Sequence, residues 1–256
     1  SMKIKERVIR NTWSLVEKIF DYYLNKKHKI SVQHSQSTLD EDDYKQQIVD
    51  FMDQNNVSCS TVYLLEIMPE VVVTSTTVGR IGGTAIGVKQ QQWPFYQQQA
   101  MEHVITIDLA AVPTLRQGKL ESARAIAIFI KDKIDNEAYE PLTPEIAIRI
   151  LSEQDIEYGE YSPHKTDSAT AYQLVPFIVP DFVFKEHYLL SIQEKEIKQA
   201  WDQIWSAYLG GQPTWIQSDE YDGQFIGQLS DLTNELNLGD NGVLYIFANT
   251  AFWQCH

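Results

Sequence analysis

The sequence predicts an α+β protein: a β-rich core with helices at the N-terminus and between two β-rich stretches. Three observations predict it. Residues 3–24 space Ile4, Val8, Leu15, Val16, Ile19, Phe20 and Tyr23 along one helical stripe. From Cys59 onward, β-branched and aromatic residues gather in short runs separated by Gly and Pro, as strands and turns require. Residues 191–208 return to helical spacing, with Ile192, Ile197, Ile204, Trp205 and Tyr208 on one face and Gly210 as the stop.

Taken in order, the opening helix is followed by a polar, basic connection from Asn25 to Gln36. Ser37 or Thr38, with Asp40 or Glu41 three residues on, resembles a capping box and starts a second short helix carrying Tyr44, Ile48, Phe51 and Met52. Residues 1–58 thus form an N-terminal helical segment and 59–256 a β-rich domain. Ser60–Met68 and Val71–Val78 read as strands joined at Pro69 and Glu70. The glutamine-rich run around Trp93 and Pro94 reads as a long surface loop. Strands follow at His103–Leu109 and Ala123–Ile130, then a helix over Glu145–Ile156 through Ile146, Ile150 and Leu151. Tyr172–Phe184 reads as a strand that Pro176 and Pro180 confine to an edge or a bulge, because proline donates nothing to a ladder.

Composition narrows the partners. The 256 residues carry 21 Lys and Arg against 35 Asp and Glu, a net charge of −14. That balance repels phosphate backbones and anionic lipid surfaces, which excludes nucleic acid and membrane as partners. After Lys198 there is no Lys or Arg, while Asp202, Asp219, Glu220, Asp222, Asp231, Glu235 and Asp240 remain. Such a one-signed field steers a basic partner, and it also serves solubility. Two cysteines, Cys59 and Cys255, do not make a disulfide framework, no secretory leader or membrane-spanning run is visible, and the expected location is cytoplasmic.

Catalytic signatures are missing: no zinc-protease, nucleophile-elbow, paired Cys-x-x-Cys or phosphate-loop pattern occurs. Gly79, Gly82 and Gly83 have the glycines of a phosphate cradle but no following lysine, and a turn explains them. The six histidines lack metal-site spacing, and the acids at 218–223 lack the distal glutamate of a calcium loop. No cofactor is expected. Asp240, before Asn241 and Gly242, suits a type I′ hairpin with positive φ at Gly242. Gln217 and Gln228 stand beside turns where each can satisfy backbone groups.

The stretch Gly210, Gly211, Pro213, Gln217, then Phe225–Leu229, then Gly239, Asp240 and Gly242, then Trp253 and Cys255, is similar to the YwqG-like proteins, a bacterial family. In that family the pattern occurs twice, and Gly82, Gly83, Trp93, Pro94, Val104–Leu109, Gly118 and Ala125–Ile130 match its first half in order. The first half lacks the proline three positions after the glycine pair. The resemblance covers roughly 60–255 and implies two duplicated sheet units, about 59–140 and about 170–256; neither has enough strand to form a stable sheet alone, so the two are expected to pack face to face.

The expected function is a non-catalytic protein-binding module for a basic partner. The resemblance further implies an immunity-type protein that caps a basic toxin domain. The alternatives are a small-ligand or peptide-binding β-protein and, behind that, an enzyme with an unrecognised site. Candidate partner- or ligand-binding residues are Trp93, Trp215, Gln217, Asp219, Glu220, Asp222 and Asp240; large rings suit interfaces and the acids suit a basic partner. No catalytic or metal residue is nominated.

Overall fold

The computed structural model describes residues 58–165, 168–181, 184, 207–217, 221–230 and 235–255. The two expected N-terminal helices and nearly all of the helix expected at 191–208 lie outside these residues. The chain divides into two compact units, one of 1–62 with 177–206 and one of 63–176 with 207–256. The second unit holds nearly all of the described residues.

The described residues are 39% strand and 9% helical, and ten strands form one nearly closed antiparallel sheet. The α+β expectation, with two sheet units packed face to face, is therefore corrected to a β fold built on one continuous sheet. In chain order its strands are β1 (Cys59–Met68), β2 (Arg80–Ile81), β6 (Glu102–Asp108), β7 (Ala125–Ile130), β8 (Ile146–Leu151), β10 (Thr170–Pro180), β11 (Tyr208–Gly210), β12 (Phe225–Leu229), β13 (Val243–Phe247) and β14 (Ala251–Gln254). Two short ribbons pair β3 (Ala85–Ile86) with β9 (Glu160–Tyr161) and β4 (Phe95–Tyr96) with β5 (Gln99–Ala100). Across the sheet the order is β14-β13-β12-β11-β1-β10-β2-β6-β7-β8. The outermost strands, β14 and β8, approach one another.

That order contains one four-strand meander twice, β2-β6-β7-β8 and β11-β12-β13-β14, joined edge to edge through β1 and β10. Their registers agree in detail. Arg80 faces Thr106 as Tyr208 faces Gln228. The second strand of each has a bulge, between His103 and Ile105 and between Phe225 and Gly227. Each first strand leads into a glycine pair in the left-handed region: Gly82 and Gly83 at φ 61° and 58°, Gly210 and Gly211 at 81° and 67°. L side chains rarely adopt this backbone, so glycine is required at both turns.

Edge-to-edge joining works because the central strands of each meander bury both faces. In β7, Ile126, Ile128 and Ile130 point into the interior of the curled sheet, while Ala125, Ala127 and Phe129 point outward against Trp93 and Met101. In β13, Leu244 and Ile246 point inward, and Val243, Tyr245 and Phe247 join Phe252 on the outer face. The interior core draws from both meanders, so curling replaces the face-to-face contact of two sheets.

Three local expectations change. Residues 71–78 form bends and turns rather than a strand. Glu145–Ile156 contains β8 and only a single helical turn, α1 (Glu153–Ile156), capped by Ser152 in a capping box with Asp155. Ile146 and Ile150 fit a helix, but Ile148 between them completes a period of two, and pairing along all of β7 selects the strand. Tyr208 begins β11 rather than ending a helix. β10 lies inside the sheet, and its pairing with β2 is confined to Thr170 and Ala171, short of both prolines.

The glutamine-rich run is a 3-10 turn (Gln90–Gln92) followed by the β4-β5 hairpin rather than a plain loop. Its two-residue turn places Gln97 and Gln98 at φ 45° and 70°, a type I′ geometry that suits Asn-Gly. Replacing Gln97→Asn together with Gln98→Gly is therefore expected to stabilise the domain by about 1 kcal/mol, seen as a raised Tm. An unchanged or lowered Tm would contradict that strain.

Candidate functional site

The candidate site is the outer face of the second meander, built on the loop that follows Gly210 and Gly211. Buried side chains hold that loop. Gln228 Oε1 accepts from the Thr214 amide at 2.9 Å, the Thr214 hydroxyl at 3.0 Å and the Tyr208 hydroxyl at 3.0 Å. The Tyr245 hydroxyl donates to the Thr214 carbonyl at 2.9 Å and accepts from the Ile216 amide at 3.0 Å. Gln254 Oε1 accepts from the Gln217 amide at 3.1 Å. Burial pushes the Tyr208 phenol well above its ordinary pKa, which keeps it a neutral donor.

The loop so fixed lays Trp215 on the sheet's aromatic residues, 4.6 Å from Tyr245, 6.2 Å from Phe247 and 5.9 Å from Phe252. Tyr221 joins them edge-on to Phe247 at 4.8 Å, its hydroxyl donating to Asn249 Oδ1 at 3.1 Å. Trp215, Tyr221 and Phe225 are half-buried. Gln217 is exposed, and its Nε2 donates to the Cys255 carbonyl at 2.8 Å. Cys255 in turn packs near Gly239, so Gln217 and the exposed Asp240 lie toward the same end of β14. Asp222 is exposed beside Tyr221, toward the β13-β14 turn that holds Asn249. Asp219 and Glu220 lie outside the described residues.

Trp93 sits apart from this group, on the outer face of the first meander. It is 4% exposed, donates from Nε1 to the Met101 carbonyl at 2.9 Å and stands edge-on to Phe129 and Tyr161. Its described environment is that of a packing anchor under the β4-β5 hairpin.

Two buried polar groups in the first meander escaped sequence reasoning. Arg80 is fully buried. Its guanidinium donates to the Thr77 carbonyl at 2.9 Å from Nε, to the Thr74 carbonyl at 2.6 Å and to Glu160 Oε2 at 2.8 Å. Burial lowers the Arg80 pKa, and Arg80 and Thr84 hold the Glu160 carboxyl below its usual range. This ties the 74–77 turn and β9 to β2, a structural latch; Arg80 lies within a strand-turn pattern, with no local signal of its depth.

His103 occupies the bulge of β6, with Nδ1 2.9 Å from the Gly82 carbonyl and Nε2 2.8 Å from the Thr106 hydroxyl. A carbonyl only accepts, so Nδ1 carries the proton; burial depresses the pKa to about 4, leaving Nε2 bare to accept from Thr106. His103 thus pins the first glycine pair from within the protein. Among the described residues, no three His, Cys, Asp or Glu side chains come together to hold a metal ion. No described helix is long and apolar enough to cross a membrane.

In comparisons with known proteins, no family model and no curated protein matched the chain. The resemblance to the YwqG-like proteins rests on the glycine, proline and tryptophan motifs alone.

Proposed function

We propose that the protein is a non-catalytic binding module for a basic protein partner, engaged through the second meander. One observation carries this reading: from Ala207 to the last residue the sequence has no Lys or Arg, and Asp222 and Asp240 are exposed with no ion pair among the described residues. Glu235 differs, since Lys133 Nζ approaches it at 3.3 Å. Carboxylates left uncompensated on the turns that lead into β12 and β13 steer and orient a cationic surface. The motif resemblance makes the partner a toxin domain and this protein its immunity-type cap. Cys59 and Cys255 form no disulfide with one another, which suits a reducing compartment and favours the cytoplasm for the encounter.

The test is capture of partners from the native cell followed by kinetics at two salt concentrations. Association with a basic partner is expected to slow steeply between low and physiological salt, where exposed charges beyond about 8–10 Å are screened. Asp222→Lys and Asp240→Lys are expected to lower the association rate more than they raise the dissociation rate. Capture of acidic partners only, or a salt-independent rate, would count against the reading.

A further inference from the structure

The two outer faces differ in how their tryptophans are covered. Trp93 has aromatic rings from two elements against it, Phe129 of the sheet at 4.9 Å and Tyr161 of the β3-β9 ribbon at 5.6 Å. Trp215 touches rings of the sheet alone, Tyr245, Phe247 and Phe252; among the described residues no second layer lies on it, and it remains half-buried. Among the described residues, the rings against Tyr221 are likewise those of the sheet, Phe247 and Phe252. With no Lys or Arg after Lys198, this part of the chain brings no cation of its own to the shelf, while Asp222 stands next to Tyr221.

We propose that the half-open shelf of Trp215 and Tyr221 docks an arginine-bearing segment of the partner, a guanidinium lying against the rings where Tyr161 lies against Trp93. The proposal rests on the basic-partner reading and names its point of contact. Charge complementarity selects the occupant: an aromatic surface beside an uncompensated carboxylate favours a cation. The flat face of Trp215, nearly parallel to Phe247 and Phe252, selects arginine over lysine, because a guanidinium is planar, weakly hydrated and stacks on rings, whereas an ammonium is a strongly hydrated point charge.

The experiment titrates the full chain with nona-arginine and nona-lysine at low salt, following binding by calorimetry. Nona-arginine is expected to bind more tightly. Trp215→Leu should weaken nona-arginine about fivefold and nona-lysine less, with Trp215→Phe recovering most of the loss. Tyr221→Ser, at the margin of the shelf, serves should Trp215→Leu fail to fold. Equal affinities for the two peptides, or shelf variants that leave nona-arginine binding unchanged while Asp222→Lys and Asp240→Lys weaken it, would overturn the docking and spare the broader reading. Failure of both peptides and of the captured partner to bind at low salt would overturn both.

Discussion

Gly242→Ala is expected to destabilise the domain by more than about 3 kcal/mol, or to prevent its folding, because a side chain there collides with backbone. A Cβ at Gly242 would overlap the Leu238 carbonyl oxygen and lie 2.7 Å from the Leu238 carbonyl carbon. Neither atom belongs to a flexible side chain that could turn aside. The expected cause was positive φ in a type I′ turn, and that is corrected: the left-handed residues are Gly239 at 73° and Asn241 at 49°, while Gly242 lies outside that region. Leu238 belongs to no strand paired with β13, and the turn at 239–242 brings Gly242 against the carbonyl of Leu238. Gly159→Ala provides the control, since Gly159 has φ 75° but open space around its would-be Cβ. It should cost about 1 kcal/mol, the strain of the left-handed backbone alone. Denaturant unfolding of the two variants separates the causes; equal losses would refute the collision.

Acidification is expected to remove up to about 3 kcal/mol of stability through His103 alone. The imidazole has a pKa of about 4 in the folded protein against 6.5 when free, with burial the first cause and the charges of Lys133 and Arg80 adding to it. Above 6.5 the ring is neutral in both states and the stability is complete. As pH falls from 6.5 toward 4 the unfolded chain takes up a proton that the folded chain refuses, so stability falls across that window. His103→Gln removes the titration, and its unfolding free energy should lose this part of the pH slope. Identical slopes for wild type and variant between pH 4 and 6.5 would show that the buried ring does not control acid sensitivity. The consequence is local: a protonated Nε2 can no longer accept from the Thr106 hydroxyl, while Nδ1 keeps donating to the Gly82 carbonyl.

Legibility in the sequence followed the range of the interactions. Strands with strong local character were readable: β6 and β7 fall largely within the segments read as strands, because alternation and β-branching act residue by residue. Gly82 and Gly83 were readable as a turn for the same reason, whereas Gly210, expected as a helix stop, ends β11. β8 was not, since its isoleucines satisfy two periods and only pairing with β7 decides between them.

The acidic imbalance, the absence of cations after Lys198, the positions of the main turns and the material for two similar β-units are all properties of the chain before it folds. That these units share one sheet emerges only on folding, because edge-to-edge pairing through β1 and β10 joins backbones far apart in the chain. The same holds for the fates of Trp93 and Trp215, two residues that look alike in sequence. Tyr161, distant in the chain, helps bury the first, while among the described residues the rings against the second are those of its own sheet. Burial is a sum over long-range contacts, and no local window of residues contains that sum.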